Sequence, residues 1–138
     1  MDYKLENKEA LKLVICEAKS NEEGEQKLSE YVSQQGAKLK GFYYINFYRN
    51  DVLAGAMVLG EYEGELPSSK TFRTEQYPAS AYMVFEFPYN ELSALEKSGF
   101  NIMDVAKNNH LKITGFPIFE FVDEAKTNVR FCCPVSEK

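Results

Sequence analysis

The sequence predicts a two-layer α+β fold built from two pseudo-duplicated β-α-β-β units. They would form an antiparallel sheet with two helices on one face and a ligand groove between the halves. Three observations predict it. First, residues 37–47 read AKLKGFYYINF and residues 111–121 read LKITGFPIFEF, so that Lys38, Gly41, Phe42 and Phe47 recur as Lys112, Gly115, Phe116 and Phe121, a constant spacing of 74. Second, Leu28, Tyr31 and Val32, spaced as one helix face, are followed 74 positions later by Ile102, Val105 and Ala106. Third, the chain has 138 residues, the length of one domain, whereas a unit of about 60 residues buries too little surface to stand comfortably alone.

The elements follow in order. Residues 3–18 end in LKLVICEA, apolar enough for a strand buried on both faces. Ser20 and Asn21 are helix N-cap candidates ahead of an acidic first turn, and Gly36 is a fitting stop, which predicts a helix over 21–35. GFYYINFY (41–48) is a strand, 49–51 a hairpin turn and VLAGAMVLG (52–60) the return strand. Residues 61–79, with Gly64, Pro67, Ser68, Ser69 and Pro78, read as a long connection. AYMVFEF (81–87) then opens the second copy, residues 89–110 are helical with an interruption near Gly99, and 115–122 and 129–135 are its last two strands. The organisation is one domain: repeat one over 3–60, a linker over 61–79 and repeat two over 80–135.

Composition excludes several classes. A net charge of -5 with scattered basic residues argues against nucleic acid and against anionic membrane surfaces. The longest apolar run, 52–60, is about half of what a spanning helix needs. The N-terminus lacks the basic and apolar regions of a secretion signal, so a cytoplasmic location is expected. Three cysteines, Cys16, Cys132 and Cys133, give no disulfide framework. The adjacent pair points to opposite sides of a strand, and with a single histidine neither a metal nor another cofactor is expected. His110 reads as a solvated helix end.

One residue is out of place: Glu120, a carboxylate in an aromatic strand. Alternation puts Phe116, Ile118 and Glu120 on one face, and Phe42, Tyr44, Asn46 and Tyr48 on the corresponding face of the first copy. If the helices cover the opposite face, this one forms a groove, polar at one position per copy and aromatic around it. A carboxylate there is costly unless it is protonated, hydrated or paired with a cation. Such a site suits a planar hydrophobic cation, which supplies the missing charge while the rings add burial and cation–π attraction. A solvent-exposed face would leave the acid without a role. Glu86 alternates with Tyr82 and Val84 and would reach the groove rim.

The doubled β-α-β-β unit, the helix start in FEFPYNEL (85–92), the strand GFPIFEF and the ending VRFCCPV resemble the GyrI-like small-molecule-binding domain over essentially the whole chain. The resemblance implies two pseudo-symmetric halves with a groove between them and a ligand-facing acid at Glu120 surrounded by aromatics. It also implies the effector-binding role such domains play in multidrug-responsive transcription activators. The chain departs from the family in having Phe87-Pro88-Tyr89 where a glycine precedes the tyrosine, in lacking Trp, and in showing no helix-turn-helix segment.

The expectation is therefore a stand-alone module for hydrophobic or cationic small molecules, with Glu120, Ile118, Phe116, Tyr44, Asn46, Phe42, Tyr82 and Glu86 as its ligand-binding residues. Two alternatives stand beside it. One is a small hydrolase with Glu120 as general base and Tyr44 or Tyr82 as hydrogen-bond donor. The other is a protein-interaction module of the gyrase-inhibitor type, for which the acidic run EYEGE (61–65) would be the contact surface.

Overall fold

A computed structural model describes residues 2–50, 52–97 and 101–137. The chain divides into two compact units: unit 1 comprises residues 2–9 and 79–137, and unit 2 comprises residues 10–78.

Unit 2 is a four-stranded antiparallel sheet with one helix. Its strands are β2 (Leu11–Ala18), β3 (Lys38–Arg49), β4 (Val52–Glu63) and β5 (Arg73–Tyr77), paired in the order β3-β4-β2-β5. The helix α1 (Asn21–Gln34) forms where the caps predict it. The Glu23 N–H donates to Ser20 Oγ at 3.2 Å, and the Lys19 N–H donates back to Glu23 Oε2 at 3.3 Å, a reciprocal cap that satisfies two end groups. Past the C-terminus, Gly36 takes φ +75, the left-handed region that glycine enters without strain.

The docking of α1 depends on small residues. A Cβ on Gly24 would lie 2.2 Å from Val58 Cγ2, and one on Gly60 would meet Leu39 at 2.7 Å and Leu28 at 3.4 Å. The helix therefore lies on the β4 face that carries Val58 and Gly60. Register puts Val58 opposite Tyr44, Gly60 opposite Phe42 and Ala56 opposite Asn46.

Unit 1 holds β1 (Lys4–Lys8), β6 (Ser80–Pro88), β7 (Leu111–Ile113), β8 (Ile118–Phe121) and β9 (Asn128–Glu137). β6 pairs with β1 on one side and β9 on the other, and β9 also pairs with β8 and β7, all antiparallel. Between β6 and β7 come a 3-10 turn (Tyr89–Glu91), α2 (Leu92–Lys97) and α3 (Ile102–Asn108). The interruption predicted near Gly99 lies outside the described residues, as does Asp51 of the predicted hairpin turn.

The α+β class is upheld. Three expectations are corrected. Residues 3–18 make two strands, not one: β1 joins unit 1 through β6, and only β2 pairs within unit 2. KLENK alternates charge with little apolar content, so its strand character comes from tertiary pairing, not propensity. The supposed linker over 61–79 carries the end of β4 and all of β5, which pairs with β2. Finally, the strand expected from 115 begins only at Ile118; Phe116 lies outside it and is 74% exposed.

Candidate functional site

Register in unit 1 sorts its side chains onto two faces. One carries Met83, Phe85, Phe87, Phe119, Phe121, Val129 and Phe131, by the pairings Phe85–Phe131, Phe87–Val129, Phe119–Phe131 and Phe121–Val129. Their rings contact one another, and Tyr89 closes against Phe119 and Phe121 at 5.7 and 4.9 Å between centroids. The other face carries Glu6 opposite Tyr82, Val84 opposite Cys132, Glu86 opposite Arg130, Ile118 opposite Cys132 and Glu120 opposite Arg130. Four predicted site residues, Glu120, Ile118, Tyr82 and Glu86, thus share one face, together with three charged residues the sequence reading did not select: Glu6, Lys8 and Arg130.

The floor of this second face is apolar. Tyr82, Val84, Ile118 and Cys132 are all buried. Burial pushes the Cys132 thiol up to about 11, the largest of several effects, which keeps it neutral and unreactive.

On that floor the charges form a network. Lys8 Nζ stands 3.6 Å from Glu120 Oε2 and 6.0 Å from the centre of the Tyr82 ring. Arg130 donates to Glu6 through Nη2, and its Nε lies 3.7 Å from Glu86. Burial works against the Arg130 charge, but the Glu6 hydrogen bond and the charges of Glu6 and Glu120 outweigh it and hold the guanidinium above its usual value. Glu120 Oε2 is buried and accepts no hydrogen bond from the described residues, the lysine being just too far to donate one.

The contact between Lys8 and Glu120 also reports curvature. Lys8 pairs with Ser80, and Ala81 with Val135, whereas Glu120 pairs with Arg130. The two residues are thus three strands and about six residues apart, roughly 25 Å in a flat sheet. That exceeds the combined reach of the two side chains. The face is therefore concave along this diagonal, as a strongly twisted sheet allows.

The remaining candidates lie in other surroundings. Phe116, in the Gly115–Pro117 stretch, is removed from the strand face that alternation had assigned it. In unit 2, Phe42, Tyr44 and Asn46 share a face, as expected, but it is the side on which α1 packs, not the side opposite the helix. Tyr44 is buried there, and Asn46 Nδ2 donates to Tyr48 Oη at 3.4 Å. Unit 2 also has a cleft of about 390 Å³ lined by Ile15, Glu17, Met57 and Arg73 among others, which contains none of the predicted residues.

Of the three residues missed, Arg130 was the most legible. It alternates with Cys132 two positions on, so pairing β9 against β8 would have brought it to Glu120. Lys8 and Glu6 carried no such signal, because their strand was not foreseen.

No family model matches the chain, and no curated protein matches it. Solved structures do. The EcmrR C-terminal domain superposes with a TM-score of 0.60 at 14% identity, covering all of both chains. EcmrR in its DNA complex gives a TM-score of 0.61 at 12% identity, and here the chain spans 58% of the EcmrR length. SAV2435 bound to tetraphenylphosphonium gives 0.51 at 16% identity, covering 99% of this chain and 94% of that one. At these identities the likeness is one of fold. The chain shares the fold of the EcmrR C-terminal domain and of SAV2435.

Proposed function

We propose that the chain is a binding module for hydrophobic, cationic small molecules, and that the concave face of unit 1 is its binding surface. Glu120 supplies the charge, Ile118 and Tyr82 the apolar floor, and Glu86 the acidic edge. The observation that carries this reading is the buried Oε2 of Glu120, a carboxylate oxygen on an apolar floor that accepts no hydrogen bond from the described residues. A charge so placed gains more from a cation that brings its own apolar surface than from water. The shared fold with a protein solved bound to tetraphenylphosphonium supports the same ligand class.

Because the chain has no tryptophan, calorimetry is the better probe. Titration with tetraphenylphosphonium is expected to give a micromolar Kd, and triphenylphosphine oxide, which is neutral, to bind far more weakly. Glu120→Gln keeps the shape and removes the charge, so affinity for the cation should fall by about tenfold or more while the neutral compound is unaffected. Equal binding of both compounds by the wild type, or an unchanged cation affinity in Glu120→Gln, would sink the reading.

A further inference from the structure

We infer that Lys8 is a built-in competitor for the cation position beside Glu120, and that it sets which ligands the site accepts. The inference rests on the function proposed above and adds a residue to it. The ammonium of Lys8 occupies the place a ligand cation would take: 3.6 Å from the buried Glu120 oxygen and over the Tyr82 ring at 6.0 Å. These are the two partners a hydrophobic cation needs, one charge and one aromatic face.

The position of Lys8 in the fold suits displacement. It is the last residue of β1, whose described pairing is with β6 alone, and the exposed Glu9 and Ala10 follow before β2 begins. Its tether to the sheet is a strand terminus, and its long side chain has ample rotamer freedom to regain on release. The pair with Glu120 is made at ion-pair distance, longer than a hydrogen bond. Arg130 is held by Glu6 and stands beside Glu86, and keeps its own place in the network.

Two consequences follow. A ligand must bring enough apolar surface to outweigh the ion pair it breaks, so small hydrated cations are rejected and large apolar ones accepted. Neutral apolar compounds gain nothing from Glu120 and leave Lys8 where it is. Lys8 is therefore a specificity-determining residue, acting through competition.

The test is calorimetric titration of Lys8→Met and Lys8→Gln with tetraphenylphosphonium and triphenylphosphine oxide, alongside the wild type and Glu120→Gln. Removing the competing charge should raise the affinity for the cation by about tenfold and leave the neutral compound within about twofold. In Lys8→Met/Glu120→Gln the gain should vanish, since the lysine competes only for the glutamate. Circular dichroism melts establish that each variant is folded, and Lys8→Gln retains a polar group where methionine disturbs the edge strand. Lys8→Arg, which keeps the charge, should bind as the wild type does. If the wild type binds the cation through Glu120 and the Lys8 variants bind no better, the inference fails and the function stands. Binding that appears only in the Lys8 variants would mean that the wild-type chain is not a receptor for this cation, which overturns the proposed function and the inference that rests on it. Should no cation bind to any variant, both are overturned.

Discussion

In unit 2 a single 14-residue helix, α1, lies on the face that carries Tyr44 and Asn46. In unit 1 the corresponding stretch is divided among a 3-10 turn, α2 and the seven-residue α3, and the strand position 74 residues after Asn46 is Glu120. The two units thus differ in how their helical stretch is built and in what they place at this strand position. Asn46 is neutral, and its amide finds Tyr48 two residues along the same strand. Glu120 is charged on a floor of buried apolar side chains, and the unit supplies cations to it from two other strands, Lys8 on β1 and Arg130 on β9.

This contrast can be broken from either side. The largest effect is expected at Gly24. Any Cβ there would stand 2.2 Å from Val58 Cγ2, so Gly24→Ala must push α1 off the sheet or distort Val58. A loss of about 1–3 kcal/mol in urea unfolding is expected. An unchanged midpoint would mean that α1 is not seated as described.

Next comes a paired test of the helix caps. Ser20→Ala should cost about 1 kcal/mol, because α1 anchors the fully buried Leu28 and the nearly buried Val32. Asn101→Ala removes the cap of α3, where the Met103 N–H donates to Asn101 Oδ1 at 2.9 Å. That helix buries one described residue, Ala106, and the loss should be the smaller of the two. Equal losses would show that unit 1 depends on its short helices as much as unit 2 depends on α1.

The smallest effect belongs to the turn that sets β8 against β9. Asp123 accepts from the side chain of Thr127 and from the Asn128 N–H, and these bonds, Thr127 first, hold its carboxyl below the usual value of 3.8. A depressed carboxyl stabilises the fold fully above that value and ceases to do so as the pH falls on through its own, lower folded-state value. Thermal melts of the wild type should therefore drop slightly more between pH 5 and pH 3 than those of Asp123→Asn. Parallel curves would show that the turn does not depend on the charge.

The α+β class was legible because it is written in apolar spacing, and helix α1 because its ends are local chemistry read directly from Ser20, the acidic first turn and Gly36. Glu120 was legible as an anomaly, a charge among rings. Its partners were not. Lys8 reaches Glu120 through a strand whose own sequence, KLENK, prefers nothing in particular, and through a curvature that no alternation pattern encodes. Phe116 was misplaced because proline at 117 lacks the N–H that a ladder needs, and the strand starts after it. The face of Tyr44 was assigned correctly relative to its strand, but which face α1 covers is decided by Gly24 and Gly60, whose meaning emerges only when the helix is in place.

That β1 belongs to unit 1 has a bearing on how the chain is made. The pairings β2–β4, β2–β5 and β3–β4 join residues within 10–78, a single uninterrupted stretch. Residues 4–8, synthesised earlier, must wait for Val84 to Ser80 to be translated before they have a ladder to join, and β6 in turn waits for β9 near the C-terminus. On a ribosome the edge strand that carries Lys8 thus emerges before the other strands of its unit and is among the last of them to be placed, and closing so long a loop is slow. The residue that guards the glutamate is installed only when the rest of its unit has been translated.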